Sequence, residues 1–376
     1  MADLSQPPAT SAELLLPAPL PLDGGQALDG VRIAYETCGT LNADRSNAVL
    51  LFHALTMDQH VVSTHPRTGK PGWWRSTVGP GKPIDTDRWF VICANVLGGC
   101  MGSTGPASLA ADGQPYAMRF PVITIRDMVR AQVALLEALE IERLHAAVGG
   151  SMGGMQALSL AANWPQLAEA VLVIASSARH SAQNIAFHEV GRQAIMADPK
   201  WNGGDYYAAG KGPEAGLAVA RMAAHITYLS EEGMHDKFGR KLQDRASLSY
   251  DFNGDFAVES YLRHQGAKFV ARFDANSLLY ITKAADYFDL ERGDGSLLVN
   301  EDLAQIRFLV LSFTSDWLYP TYQSRAIVSA LKKNGSDVSF CEIDTRWGHD
   351  AFLMPSEQMD KLIAGFLDRI SHECEQ

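Results

Sequence analysis

Gly149-Gly150-Ser151-Met152-Gly153 spells G-x-S-x-G at a junction between a strand and a helix. Residues 144–148 before it form a short apolar run of strand length. Behind it, Met155, Leu158, Leu160, Ala161 and Ala162 give a helix-forming composition that Trp164-Pro165 stops. A serine at such a junction sits in a sharp, strained turn that only small neighbours tolerate, and the turn lifts Oγ clear of the sheet edge. Ser151 is therefore the candidate nucleophile. The plainer alternative is a Gly/Ser helix cap, and the strand and helix on either side favour the first reading.

Moving outward, residues 31–35 alternate in strand fashion, and residues 48–52 and 89–93 are continuous apolar runs of the kind buried on both faces of a sheet. The loop 95–106 is rich in glycine but lacks P-loop spacing and a following Lys-Ser/Thr, so it reads as a wall of the active site. Residues 125–141 form a periodic helix leading into the strand before Ser151, and residues 170–174 complete a further βαβ unit. Strand signals then vanish from 178 to 298, where helices are expected around 183–196, 214–229 and 256–289. So long a stretch exceeds a single crossover and implies an inserted helical lid. Strands resume at 308–313 and 338–343, with helices at 322–332 and 357–370. The expected fold is α/β with a mostly parallel central sheet, its core formed by residues 1–177 and 299–376 and its lid by 178–298.

A chain of 376 residues with 47% hydrophobic and 20% charged side chains is long enough for such a core. A formal net charge of −11 argues against nucleic-acid or anionic-membrane partners, while leaving room for a local basic pocket that receives a phosphorylated cofactor. Five scattered cysteines without a C-x-x-C pair suggest neither a disulfide framework nor a metal site, and fit a reducing cytoplasm. The proline-interrupted N-terminus has no signal-peptide pattern, and no apolar run approaches the roughly 20 residues of a membrane span.

Chain order supplies the partners of Ser151. In the α/β-hydrolase fold the acid follows a late strand and the histidine lies in the loop after the last one. Asp316 and His349 occupy those places; Asp344, at the exit of the last strand, is the rival acid. The loop after strand 48–52 would give one oxyanion N–H at Leu55, and the residue after the nucleophile, Met152, the other. His53 reads as a structural histidine.

His53-Ala54-Leu55-Thr56, residues 95–106 and 149–156, Ala220-Arg221-Met222, His225-Ile226-Thr227-Tyr228, Val258-Glu259-Ser260-Tyr261, Arg272-Phe273-Asp274-Ala275-Asn276-Ser277 and Gly348-His349-Asp350 together resemble the homoserine O-acyltransferases of methionine biosynthesis. The resemblance runs from about Val31 to Ile370. It implies acyl transfer from acyl-CoA to L-homoserine through an acyl-serine, no permanently bound cofactor, and a homodimer packed through the lid. It also implies that Arg221 takes the substrate carboxylate and Asp350 its ammonium. Met57 departs from the small residue common after His-Ala-Leu-Thr. Succinyl-using members carry an arginine two residues after the triad aspartate; Leu318 stands there, so acetyl-CoA is the expected donor, with succinyl-CoA the alternative if Arg325 or another cation reaches the pocket. A serine acceptor and simple ester hydrolysis are the other readings.

Overall fold

The computed structural model describes residues 9–252, 254–291 and 300–374, so the expected end of the lid at Leu298 lies outside the described residues. One sheet contains β1 (Ala9–Leu15), β2 (Arg32–Cys38), β3 (Ala48–Phe52), β4 (Phe90–Ala94), β5 (Ala146–Gly150), β6 (Ala170–Ile174), β7 (Arg307–Phe313) and β8 (Asp337–Ile343). Their order across the sheet is β1-β2-β4-β3-β5-β6-β7-β8. The β1–β2 and β2–β4 pairs are antiparallel, and the others are parallel.

Strands β3, β5 and β6 are buried at every residue. Two layers cover them, as a parallel sheet requires. On one face Leu50, Phe52, Val171, Val173, Phe308 and Val310 pack with α1 (Ile125–Ala138), α2 (Met152–Asn163) and, further along the chain, α8 (Thr321–Lys333). Alternate residues, Val49, Leu51, Leu172, Ile174, Leu309 and Leu311, face Trp74, Val78, Ile84 and the side chains Met359, Ile363 and Leu367 of α9 (Glu357–Cys374). The period-2 alternation of a strand thus feeds two cores from one apolar run.

Between β6 and β7 the described residues contain no strand of this sheet. They form α3 (Ala182–Ala197), α4 (Glu214–Tyr228), α5 (Glu231–Lys237), α6 (Ala257–Val270) and α7 (Ala275–Asp286). The break between α6 and α7 has a local cause: the Asp274 carboxylate accepts the Ser277 N–H at 2.8 Å and so starts a new helix. It also accepts the hydroxyls of Tyr206 and Tyr207. Two of the elements named here escape the sequence patterns. Strand β1 lies in the Pro-rich lead and is fixed by pairing along all of β2, and α5 has seven residues, mostly polar, capped by Ser230.

Candidate active site

Ser151 has φ 58° and ψ −125°, between the last residue of β5 and the first of α2. Such a backbone costs an L-residue on the order of 1–3 kcal/mol and persists only where packing dictates it. Here packing does. A Cβ on Gly149 would sit 2.1 Å from the Gly153 carbonyl oxygen, and one on Gly153 would sit 2.1 Å from that of Phe52. Backbone therefore lies directly on backbone, and we expect Gly153→Ala to lower stability by about 3 kcal/mol, read as a drop in denaturant midpoint. A midpoint unchanged from the parent would mean that α2 can shift away from β3 freely.

The Ser151 side chain makes no cap bond to its helix. Instead its hydroxyl donates to His349 Nε2 at 2.8 Å, and His349 Nδ1 donates to Asp316 Oδ2 at 2.8 Å. Asp316 follows β7, and its Oδ1 is held by the Leu318 and Tyr319 N–H groups, both at 2.9 Å. His349 lies in a short turn after β8 that begins at Gly348, where φ is 65° and a Cβ would fall 2.6 Å from the Ser230 nitrogen. All three side chains are buried. Asp344 is exposed and accepts from Thr314 Oγ1, so it is not the partner of His349.

Ser151 opens into a small chamber of about 70 Å3, whose lining includes Leu55, Met152, Arg221, Leu318 and Tyr319. Among the described residues, neither the Leu55 nor the Met152 N–H has a backbone acceptor. Both residues line the chamber that Ser151 opens into. Arg221 comes from α4; it donates to Thr56 Oγ1 at 3.2 Å, and its guanidinium lies over Phe269. Asp350 follows His349, and burial pushes its carboxyl above the usual range although His349 and Arg221 pull it down.

The inner wall carries residues that sequence patterns did not single out. Tyr319 hydroxyl lies 3.3 Å from His180 Nε2, and His180 Nδ1 lies 3.2 Å from Asp286 Oδ1. His188 bonds the same oxygen at 2.7 Å, while Arg192 takes Asp286 Oδ2 at 2.6 Å and Glu189 at 3.0 Å. Burial opposes charge on Asp286, yet the bonds from His180, His188 and Arg192 hold its carboxyl well below the usual range. His180, His188 and Asp286 place ligand atoms within 4.8 Å of one another, the nearest approach to a metal set among the described residues. Arg192 already supplies positive charge there. These groups converge from the β6–α3 loop, α3, α7 and the β7–α8 loop, a proximity that no local spacing signals.

Two expectations need correction. No residue of loop 95–106 lines the chamber; Ser103 and Thr104 hydroxyls instead accept the Ala34 and Arg32 N–H groups, and the Val96 N–H donates to buried His53. The glycines let this loop fold tightly on itself, with Gly105 against the Gly98 and Gly99 backbone. Arg325 does not approach either: it is exposed and paired with Glu342.

An elbow serine backed by a buried His–Asp pair, on this strand order, defines a serine-dependent α/β hydrolase. The chain matches the alpha/beta hydrolase fold family over residues 47–354. It is 61% identical over 366 residues to homoserine O-acetyltransferase of Rhodospirillum rubrum, covering 97% of this chain and 94% of that protein. It is 60% identical to the homoserine O-acetyltransferase of Zymomonas mobilis, covering 94% and 96%. The chain belongs to the homoserine O-acetyltransferase family within the α/β hydrolases. Among solved structures, homoserine O-acetyltransferase from Bacillus anthracis superposes with a TM-score of 0.86 at 28% identity, covering 96% of this chain and 97% of that one. Esterase E22 superposes with 0.84 at 29% identity, covering 96% and 100%.

Proposed function

We propose that this chain transfers the acetyl group of acetyl-CoA to the side-chain hydroxyl of L-homoserine, giving O-acetyl-L-homoserine for methionine biosynthesis. The observation that carries this reading is the shared chamber of Ser151 and Arg221, with Asp350 outside its lining but next to His349 and close enough for the Arg221 charge to act on its carboxyl: an amino-acid acceptor needs one cation and one anion near the nucleophile. A plain esterase needs neither.

Ser151 Oγ attacks the thioester carbonyl while His349 Nε2 takes its proton; Asp316 holds the imidazole tautomer, and the Leu55 and Met152 N–H groups carry the oxyanion. Collapse breaks the C–S bond, and His349 returns the proton to the leaving thiolate. L-Homoserine then enters, its carboxylate on Arg221 and its ammonium on Asp350. His349 accepts the homoserine hydroxyl proton as that oxygen attacks the acetyl-serine, and gives it back to Ser151 as the C–O bond breaks. The helices α3, α4 and α7 act as the lid that excludes water, supported by their many chamber-lining side chains.

Donor choice follows from charge. Leu318 is apolar, and the other cation lining the inner wall, Arg192, is committed to Asp286 and Glu189. A succinyl carboxylate directed to residue 318 would be desolvated against an apolar side chain. Leu318→Arg is expected to raise the succinyl-to-acetyl ratio of kcat/KM by about tenfold, a gain on the order of 1.4 kcal/mol. A ratio that stays put would place the acyl terminus away from residue 318.

A homodimer packed through the helical insertion accounts for exposed Val219, Ile226, Tyr250 and Phe252 in that region. Among the described residues no helix is long and apolar enough to cross a membrane, and Cys38, Cys93, Cys100 and Cys341 are free thiols; we place the enzyme in the cytoplasm. No permanently bound cofactor enters the chemistry. The deciding experiment is initial rates with acetyl-CoA or succinyl-CoA against L-homoserine or L-serine, beside p-nitrophenyl acetate hydrolysis without an amino acid. Acetylation of homoserine should dominate; faster transfer from succinyl-CoA, to serine or to water would replace this reading with the corresponding one.

A further inference from the structure

Tyr319 stands just past the triad acid and is tied to it, its N–H donating to Asp316 Oδ1 at 2.9 Å. Its side chain lines the chamber with Ser151, and its ring lies 5.2 Å from that of His349. No step of the acyl transfer described above uses it. Burial raises its hydroxyl, and the side chains of Asn184 and Ser151 act on the same group through hydrogen bonding. A phenol has one proton, and where that proton points decides what the nucleophile beside it meets.

The far side of the hydroxyl fixes that direction. Arg192 Nη1 donates to Asp286 Oδ2 at 2.6 Å, so this carboxylate is ionised and can only accept. Its other oxygen lies 3.2 Å from His180 Nδ1, which therefore carries a proton. Burial holds the His180 imidazole below its ordinary value, helped by the His188 and Arg192 charges and opposed by Asp286. A neutral ring protonated at Nδ1 has a bare Nε2, and the Tyr319 hydroxyl, 3.3 Å away, is the donor to it. The Tyr319 proton thus points to His180 and away from Ser151. Attack on an acyl carbon uses a lone pair of the serine oxygen while the serine proton passes to His349. A phenol proton on that oxygen would occupy the pair.

We propose that His180, held by Asp286, is a positioning residue that keeps the Tyr319 hydroxyl proton off the Ser151 oxygen. The relay from Asp286 through His180 to Tyr319 runs beside the one from Asp316 through His349 to Ser151. It makes and breaks no covalent bond; it leaves the nucleophile ready for the relay that does. The inference rests on the acyl-serine reading above.

His180→Phe removes the acceptor nitrogen and keeps a ring of similar shape, while His188 and Arg192 remain on Asp286. With its acceptor gone, the Tyr319 hydroxyl turns to Ser151 Oγ. Acylation, read in the pre-steady state as release of p-nitrophenol from p-nitrophenyl acetate and of CoA from acetyl-CoA, should slow about fivefold, the factor for one neutral hydrogen bond broken before attack. In a Tyr319→Phe background the same substitution should cost less than about twofold, because no phenol proton is left to misplace. The L-homoserine KM should stay within about twofold of the parent in His180→Phe, since the effect lies on acylation. His180→Gln, whose amide oxygen accepts from Tyr319, should recover part of the lost rate, and His180→Leu repeats the cycle if the phenylalanine variant does not fold. Equal losses in the two backgrounds would make His180 a packing residue of the wall, and no loss with Tyr319 in place would show its proton directed elsewhere; either result overturns the assignment. A parent that forms no acetyl adduct on Ser151 would overturn the acyl-serine reading itself, and is seen before any variant is compared.

Discussion

Ser151→Ala should reduce homoserine acetylation by roughly 10⁵- to 10⁶-fold, the loss expected when the nucleophile of a hydrogen-bonded triad is deleted. The remaining His349–Asp316 pair has nothing to deprotonate at the acyl carbon. Stability should change little: the substitution removes one hydroxyl and its bond to His349, worth about 1 kcal/mol, and the strained turn stays because Gly149 and Gly153 still lock α2 onto the strands. Two measurements check this. Denaturant midpoints of parent and variant should agree closely, and intact-protein mass spectrometry after mixing with acetyl-CoA should show an added acetyl on the parent alone, mapped to the peptide holding Ser151. An adduct on another residue, or transfer surviving within tenfold, would remove Ser151 from the covalent role.

The turn that makes this test clean was legible because its requirements are local. Small residues at 149, 150 and 153, a strand before and a helix after, state the geometry within a few positions. The buried parallel strands were equally legible, since burial on both faces demands an unbroken apolar run. Strand β1 was not: a seven-residue edge strand with one exposed face has only weak alternation, and pairing with β2 decides it. The inner wall was hidden for a different reason. His180, Arg192, Asp286 and Tyr319 come from three separated segments, and their meeting is a property of how α3 and α7 pack. Loop 95–106 shows the converse error, because glycine content speaks of tight backbone turns and not of which side of the sheet they serve.

Arg221→Ala should raise the L-homoserine KM about a hundredfold, because a buried charge-assisted contact to a carboxylate is worth 2–5 kcal/mol when one partner is removed. The first half-reaction should survive: a burst of CoA release from acetyl-CoA tests it, since the acetyl group has no charge for a guanidinium to meet. Arg221 also stacks on Phe269 and bonds Thr56, so some loosening of the wall accompanies the truncation. Arg221→Lys separates the two effects, keeping the charge but losing the planar fork, and should recover only part of the affinity. A pH profile adds an independent reading. Burial raises the Asp350 carboxyl and Arg221 lowers it, so removing the cation moves that carboxyl further up. Asp350 must be ionised to hold the substrate ammonium, and homoserine kcat/KM therefore falls as pH drops through its titration. The acid limb of the profile should shift to higher pH in Arg221→Ala and return toward the parent in Arg221→Lys. Equal losses in both half-reactions, with the acid limb unmoved, would make Arg221 a structural residue of the wall rather than the acceptor's anchor.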